Sequence, residues 1–417
     1  MATETLFYRA GIFALALLPI SHLTSLGVME SAGFLLLAVS IGQFLIEWLT
    51  DGPAVLGRVR SIVVIPIVGY VAMTVTSAAV MLEHTEDQLS ALRELKWVLY
   101  FFAFAYFFEK YFITSWERYL PVFTSVVFLM GAFSIAQFFY GLEYPRSESV
   151  LDQWGEYFRV TGLFNLPQSF AGNLGMALFM LLGITLAQIG SPAPSEVRLA
   201  RYRCAAASLL GAVGLILTLT RAAWVAGAVV GVLALGRAKK VWGVTLLLAV
   251  LVLVALGSGS QTIFGDRLSG DIDRSERSIL HREALWEVNW GIVKDHPWLG
   301  VGPWQNLQDL PAYPSDITHA HNNVLQVLAS QGVVAALFYL SFCAYFFWAA
   351  YSLSSRDTAH RVVRGLALGS LYSQSYFHLL GLVDSPFFDQ EVKNMIVFIW
   401  ALTFALHQRE RRGIPLS

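Results

Sequence analysis

The chain has 417 residues, of which 56% are hydrophobic and only 14% charged, with a formal net charge of −1. A soluble globular chain carries about 25% charged residues, so this composition excludes an ordinary soluble domain. The balanced charge and the lack of a basic tail exclude a nucleic-acid-binding protein. The 29 Phe and 12 Trp exclude a disordered chain. What remains is an all-α, polytopic integral membrane protein.

A helix needs about 20 mostly apolar residues to cross the hydrocarbon core. In chain order, such runs fall near 10–28, 32–49, 61–82, 97–114, 119–140, 168–189, 204–220, 222–237, 241–258, 333–354, 365–383 and 393–408, which gives about twelve transmembrane helices. Arg9 ahead of an apolar stretch resembles a signal peptide. No small-x-small cleavage site follows, so the segment is read as a retained first helix. The seventh and eighth runs are split only by Arg221. A tight hairpin is expected there, because one helix of roughly 34 residues would overshoot the bilayer. The chain thus divides into spans one to nine (1–258), a long hydrophilic loop with short helices (259–320), and spans ten to twelve (321–417).

Basic residues set the orientation. Arg9, Arg58, Arg60, Lys110, Arg118, Arg198, Arg201, Arg203, Arg237, Lys239, Lys240, Arg356, Arg361, Arg364, Arg409, Arg411 and Arg412 fall at the termini and the even-numbered connections. By the positive-inside rule, both termini and these connections are expected to be cytoplasmic, and the 259–320 loop faces outward. Cys204 and Cys343 lie inside apolar runs, which leaves neither a disulfide framework nor a thiolate metal cluster.

On the outward side four basic residues stand out: Arg159, Arg221, Arg282 and, by position, Lys294. Arg221 interrupts the uncharged stretch L-T-L-T-R-A-A-W, where a charge is costly unless paired or wetted. It is either a helix-end Arg reaching the headgroups or an anion site. Arg282 belongs to a helix expected over about Glu276–Lys294 and stopped by Pro297, with Ile279, Trp286 and Val293 on its face. It meets either a buried structural partner or an anionic ligand.

His321 is expected to open the helix leading into the tenth span, with Leu325, Leu328 and Gly332 on the same face. Gly332 would let a neighbouring helix come close beneath the imidazole. His319 and His321 form an H-x-H pair near Asp316, but a third firm ligand at metal spacing is missing, so no metal site is expected. Asp384 and Asp389, in D-S-P-F-F-D-Q-E, face outward, and helix capping or ion pairing is their default role.

Arg221 in T-R-A-A-W, Arg282 in R-E-A-L-W, the P-W-L-G-V-G-P-W turn and H-N-N-V-L-Q-V-L-A-S-Q-G together resemble the O-antigen ligase and polymerase superfamily. The ligase motif is His, then Asn/Ser/Gln, nine residues, Gly, two residues, then Gly/Thr/Tyr. Here it reads His321, Asn322, nine residues, Gly332, Val333, Val334 and then Ala335, which departs from the last position. The resemblance implies a GT-C-like enzyme of the Gram-negative inner membrane. Such an enzyme moves O-antigen glycan from undecaprenyl diphosphate to the lipid A–core oligosaccharide on the periplasmic face. It makes His321, Arg282 and Arg221 the catalytic residues. Arg159, Asn322, Asp384 and Asp389 are the substrate-binding candidates.

These residues suit that chemistry. Two guanidiniums can neutralise a diphosphate leaving group without a metal or other cofactor. An imidazole can take the acceptor hydroxyl proton near neutral pH. Direct transfer with inversion is expected, with Asp384 and Asp389 the only acids to test for a covalent route. A polymerase or another oligosaccharyltransferase of the same superfamily would differ only in its acceptor. A transporter is the rival of a different class, although most spans lack the mid-membrane charge that transporters use.

Overall fold

The computed structural model describes residues 7–14, 17, 20, 23, 26–52, 61–143, 151, 153–154, 157–188, 195–237, 272–303, 319–356 and 361–413. Its helices are α1 (Leu26–Asp51), α2 (Val64–Met81), α3 (Thr85–Arg93), α4 (Lys96–Phe107), α5 (Ile113–Tyr140), α6 (Pro167–Ala187), α7 (Ser195–Leu217), α8 (Arg221–Arg237), α9 (Ile272–Asp295), α10 (Asn323–Ser354), α11 (Arg361–Leu380) and α12 (Gln390–Arg411). A two-residue hairpin, Gln153–Trp154 against Tyr157–Phe158, precedes Arg159. Among the described residues, six helices are long and apolar enough to cross a membrane, and Arg221–Gly236 is a shorter apolar one. The predicted span at 241–258 lies outside the described residues, as do Asp316 and residues 15, 16, 18, 19, 21, 22, 24 and 25 of the 10–28 span.

Large apolar side chains point outward from these helices. Phe34, Ile41, Leu45 and Leu49 on α1, Ile65 and Val68 on α2, Val225 and Leu233 on α8, and Leu337 and Trp348 on α10 are exposed. An apolar surface this extensive needs lipid as its solvent. The protein is therefore an all-α polytopic membrane protein.

The centre of the bundle is built from α6, α11 and α12. Every residue of α12 from Val392 to Arg409 is buried, and α6 is buried along nearly its whole length. A helix buried all round belongs to the core rather than to the lipid boundary. Small residues bring α6 and α11 together: a Cβ added to Gly183 would lie 2.1 Å from the Gly369 nitrogen. Ser373 then donates to the Met176 carbonyl (2.7 Å) and Tyr376 to that of Ala171 (2.9 Å). Close backbone approach, with hydrogen bonds across it, is how helices associate where burial supplies no drive.

The break expected at Arg221 is present. Helix α7 ends at Leu217 and α8 starts at Arg221, with Leu219 at φ 52° between them. The chain doubles back, because the Trp224 indole reaches the carbonyl of Ile216, eight residues earlier, at 2.9 Å. A single straight helix would hold those residues about 12 Å apart.

Two expectations are corrected. The break between the fourth and fifth spans is a π-helical turn, Phe108–Phe112, that runs straight into α5. Gly332 does not sit on a continuous helical face. It has φ 83° and ψ 176° and splits α10 into a short first half and a second half that starts at Val333, where the tenth span was predicted. Its neighbour is the Pro297–Gly302 turn rather than a helix. Val301 and Gly302 donate to the carbonyls of Ala329 and Ser330 (both 3.0 Å), and Val333 donates to Pro297 (2.8 Å). The turn takes up carbonyls that the broken helix leaves without intrahelical partners.

Ion pairs mark the two ends of the bundle. At one end Lys96 pairs with Glu30 and Lys393 with Glu94, each at 2.8 Å. At the other, Lys110 pairs with Glu47, Arg356 with Glu410, and Arg412 with Glu109. Helix α12 alone, 22 residues long, separates these ends by about 33 Å.

Candidate active site

The site forms where the start of α10 meets the turn between α11 and α12. His321, Asn322 and Asn323 each fasten to that turn differently. The His321 Nδ1 lies 3.2 Å from the Asp384 Oδ1. The Asn322 amide donates to the Leu382 carbonyl (3.0 Å). Asn323 donates its backbone N–H to Gly381 (2.9 Å) and accepts the Phe387 N–H on its side chain (3.0 Å).

His321 does not open the helix as expected. Asn322 is the N-cap, and its Oδ1 accepts from the N–H groups of Val324 and Leu325, both at 3.0 Å. An Asn cap outcompetes a His at a helix start because its short carbonyl reaches the orphan donors. His321 stands one residue before the cap at φ 45°. That left-handed conformation is uncommon for a residue with a side chain, and the four bonds to the 381–387 turn hold it. Both ends of the Asn322 amide are engaged within the fold.

Asp384 is the meeting point. Burial alone would raise its carboxyl pKa. The His321 bond, the Ser385 N–H at 2.8 Å and the charges of His321 and His319 outweigh burial and hold it below the ordinary range. The His319 ring lies beside that of His321, centroids 4.0 Å apart and planes tilted by 48°. The third ligand absent from the sequence reading thus comes from another part of the chain: ligand atoms of His319, His321 and Asp384 all lie within 4.8 Å of one another.

Arg282 is half-buried on α9 and electrostatically coupled to both Asp384 and Arg221. Burial lowers its pKa, Asp384 opposes that, and Arg221 adds to it. The buried stripe of α9 is Leu285, Asn289 and Ile292, packed with Val301 and Ala329. Trp286 and Val293 flank the stripe, one position round from the face expected. Arg282 stands one turn before Leu285 on α9. Lys294, at the far end of α9, is exposed.

Arg159 and Arg221 share a turn. The Arg159 Nε donates to the Thr218 carbonyl (3.0 Å) and its Nη2 to the Thr220 hydroxyl (3.5 Å), while the Val160 N–H reaches Leu217 at 3.3 Å. Arg159 therefore braces the Thr218–Thr220 break from which Arg221 begins α8.

Asp389 caps α12, accepting from Glu391 N–H (2.9 Å) and Val392 N–H (3.3 Å), and it also accepts from the Ser169 hydroxyl at 2.5 Å. Burial raises its pKa, against those bonds. Its default capping role is what the geometry gives. Sequence reading missed Ser169, which carries no local signal, and Lys393, which passed as the edge of an apolar run. A small pocket beside Phe387, lined by Tyr70, Thr74, Trp97, Gln331 and Lys393 among others, includes none of the His–Asp–Arg cluster.

The fold is that of a polytopic helical membrane protein, with the imidazole–carboxylate pair of His321 and Asp384 near the guanidiniums of Arg282 and Arg221. Residues 206–340, about a third of the chain, match the family model described as O-antigen ligase, and that match supports placing the chain in this family. The matched segment contains Arg221, Arg282, His321 and Gly332. No curated protein matches the chain.

Proposed function

We propose that this chain is a lipid A–core:O-antigen ligase with a periplasmic active site in the Gram-negative inner membrane. In this reading twelve spans of GT-C-like arrangement place both termini in the cytoplasm, and residues 259–320 form the periplasmic loop. The donor is undecaprenyl-diphosphate-linked O-antigen and the acceptor is the lipid A–core oligosaccharide. The observation that carries it is the His321–Asp384 contact at 3.2 Å with Arg282 coupled to Asp384 and Arg221 beside it.

The acceptor hydroxyl oxygen attacks the anomeric carbon, and the anomeric C–O bond to the diphosphate breaks with its electron pair leaving on the lipid diphosphate. Attack from the opposite face inverts that carbon. The hydroxyl proton passes to the His321 Nε2 lone pair. Asp384 accepts the Nδ1–H bond, fixes the tautomer, and stabilises the imidazolium that forms. Arg282 and Arg221 neutralise the charge developing on the leaving diphosphate with paired donors. Arg159 acts beside them, on the same turn as Arg221. No metal takes part in this transfer.

The test is reconstitution of purified protein with lipid-linked glycan and lipid A–core in EDTA. Glycan on lipid A–core, lost in His321→Ala and Arg282→Ala, supports the reading. Lengthened lipid-linked glycan with untouched lipid A–core would make the chain a polymerase. No transfer to either acceptor would favour a transporter.

A further inference from the structure

We propose that His319, His321 and Asp384 form a reversible inhibitory site for a zinc-type divalent transition ion. The inhibitory half of this inference rests on the reading of His321 as the base, whereas metal binding does not.

Two imidazoles and one carboxylate are the ligand types that zinc and its neighbours prefer, and three protein ligands leave a fourth position open. The ligand atoms already lie within 4.8 Å of one another. A tetrahedron of ligands about 2.1 Å from an ion has edges of about 3.4 Å, so small side-chain rotations close the set. The His321 Nδ1 already lies 3.2 Å from the Asp384 Oδ1, and a His319 ring nitrogen lies within 4.8 Å of both ligand atoms. The His319 ring, 4.0 Å from that of His321 between centroids, is not the base in the proposed proton transfer.

The neighbourhood determines how tightly such an ion is held. One carboxylate leaves a dication with net positive charge, and Arg282 and Arg221 add to it. Binding is therefore reversible rather than structural, and an anion in the fourth position strengthens it.

Inhibition follows from imidazole chemistry. Neutral imidazole has one N–H and one lone pair. When a metal takes the Nδ1 lone pair, the proton resides on Nε2, with no net proton released. Nε2 then cannot accept the acceptor's proton, and a metal on Nε2 blocks it directly.

The experiment uses the full chain in nanodiscs, stripped with EDTA and desalted. Co²⁺ is titrated as the probe and its visible d–d absorption read, and transfer is assayed in EDTA and in excess Zn²⁺. Wild type is expected to bind Co²⁺ with a tetrahedral spectrum and to lose transfer in Zn²⁺. Loss of an outer-shell partner already weakens metal binding by about 10–100-fold, so His319→Ala should weaken Co²⁺ binding at least as much. Whatever transfer His319→Ala shows in EDTA should persist in excess Zn²⁺. His84→Ala, an exposed histidine elsewhere, should behave as wild type.

Absence of Co²⁺ absorption in wild type overturns the site. So does equal binding by His319→Ala, or by His319→Gln if the alanine variant fails to fold. Co²⁺ binding with undiminished transfer in Zn²⁺ overturns the inhibitory role. Absence of transfer in EDTA overturns the ligase reading instead, and the Co²⁺ titration still decides the site.

Discussion

His321 and Asp384 stand 63 residues apart in the chain, yet their side chains meet at 3.2 Å. Each comes from a connection between helices, and the contact is held by three further bonds between residues 322–323 and the turn at 381–387. An imidazole held at one nitrogen presents the other in a fixed direction, which a base requires.

Replacing Asp384 with Asn should lower kcat while leaving donor binding unchanged, because the amide cannot stabilise the imidazolium. His321→Ala should cost about a hundredfold to ten-thousandfold in rate, the usual worth of a positioned base. The double variant should be little worse than His321→Ala alone, since the two residues act as a unit. Additive losses in steady-state transfer would refute the pairing.

Arg282→Lys keeps the charge but loses the planar pair of donors. Transfer should fall well below wild type, with competition by undecaprenyl diphosphate weakened in parallel. Unchanged inhibition by that lipid would place the diphosphate elsewhere.

Asp389→Ala removes a cap that accepts two backbone N–H groups and the Ser169 hydroxyl. A lost cap costs about 0.5–2 kcal/mol, and Asn in its place can still accept. Thermal unfolding in detergent should rank wild type, Asn and Ala in that order.

Gly332→Ala should be far more damaging than its size implies. A Cβ there would lie 2.1 Å from the Trp298 carbonyl oxygen, at a φ of 83°. The Pro297–Gly302 turn would have to leave the break in α10. By contrast Ala335→Gly, which restores the family motif three residues on, should cost only about 1 kcal/mol as a helix-interior glycine. Yield of folded protein and its unfolding temperature separate the two.

The sequence carried the helices where composition alone decides them. Lipid exposure demands apolar side chains, so α1, α2 and the second half of α10 are readable as runs, and the buried α6 is apolar all round for the core. The charged Arg221 marked its own break, because a guanidinium in an apolar stretch is costly unless the chain turns there. The family motif likewise singled out Arg221, Arg282 and His321 before any fold was known.

The tertiary structure decided the rest. His321 and Gly332 were misplaced on one helical face because periodicity assumes continuous helix, and both residues adopt left-handed backbone that only contacts with the 381–387 and 297–302 turns can maintain. Asp384 as partner of His321, and Asp389 as a cap held by Ser169, depend on helices separated by 63 and 220 residues coming together. Local sequence fixes which segments leave water for lipid, because that choice is additive over each run. Which polar side chains meet at the end of the bundle depends on packing between distant helices, such as the near-contact of Gly183 with Gly369, and no single run encodes it.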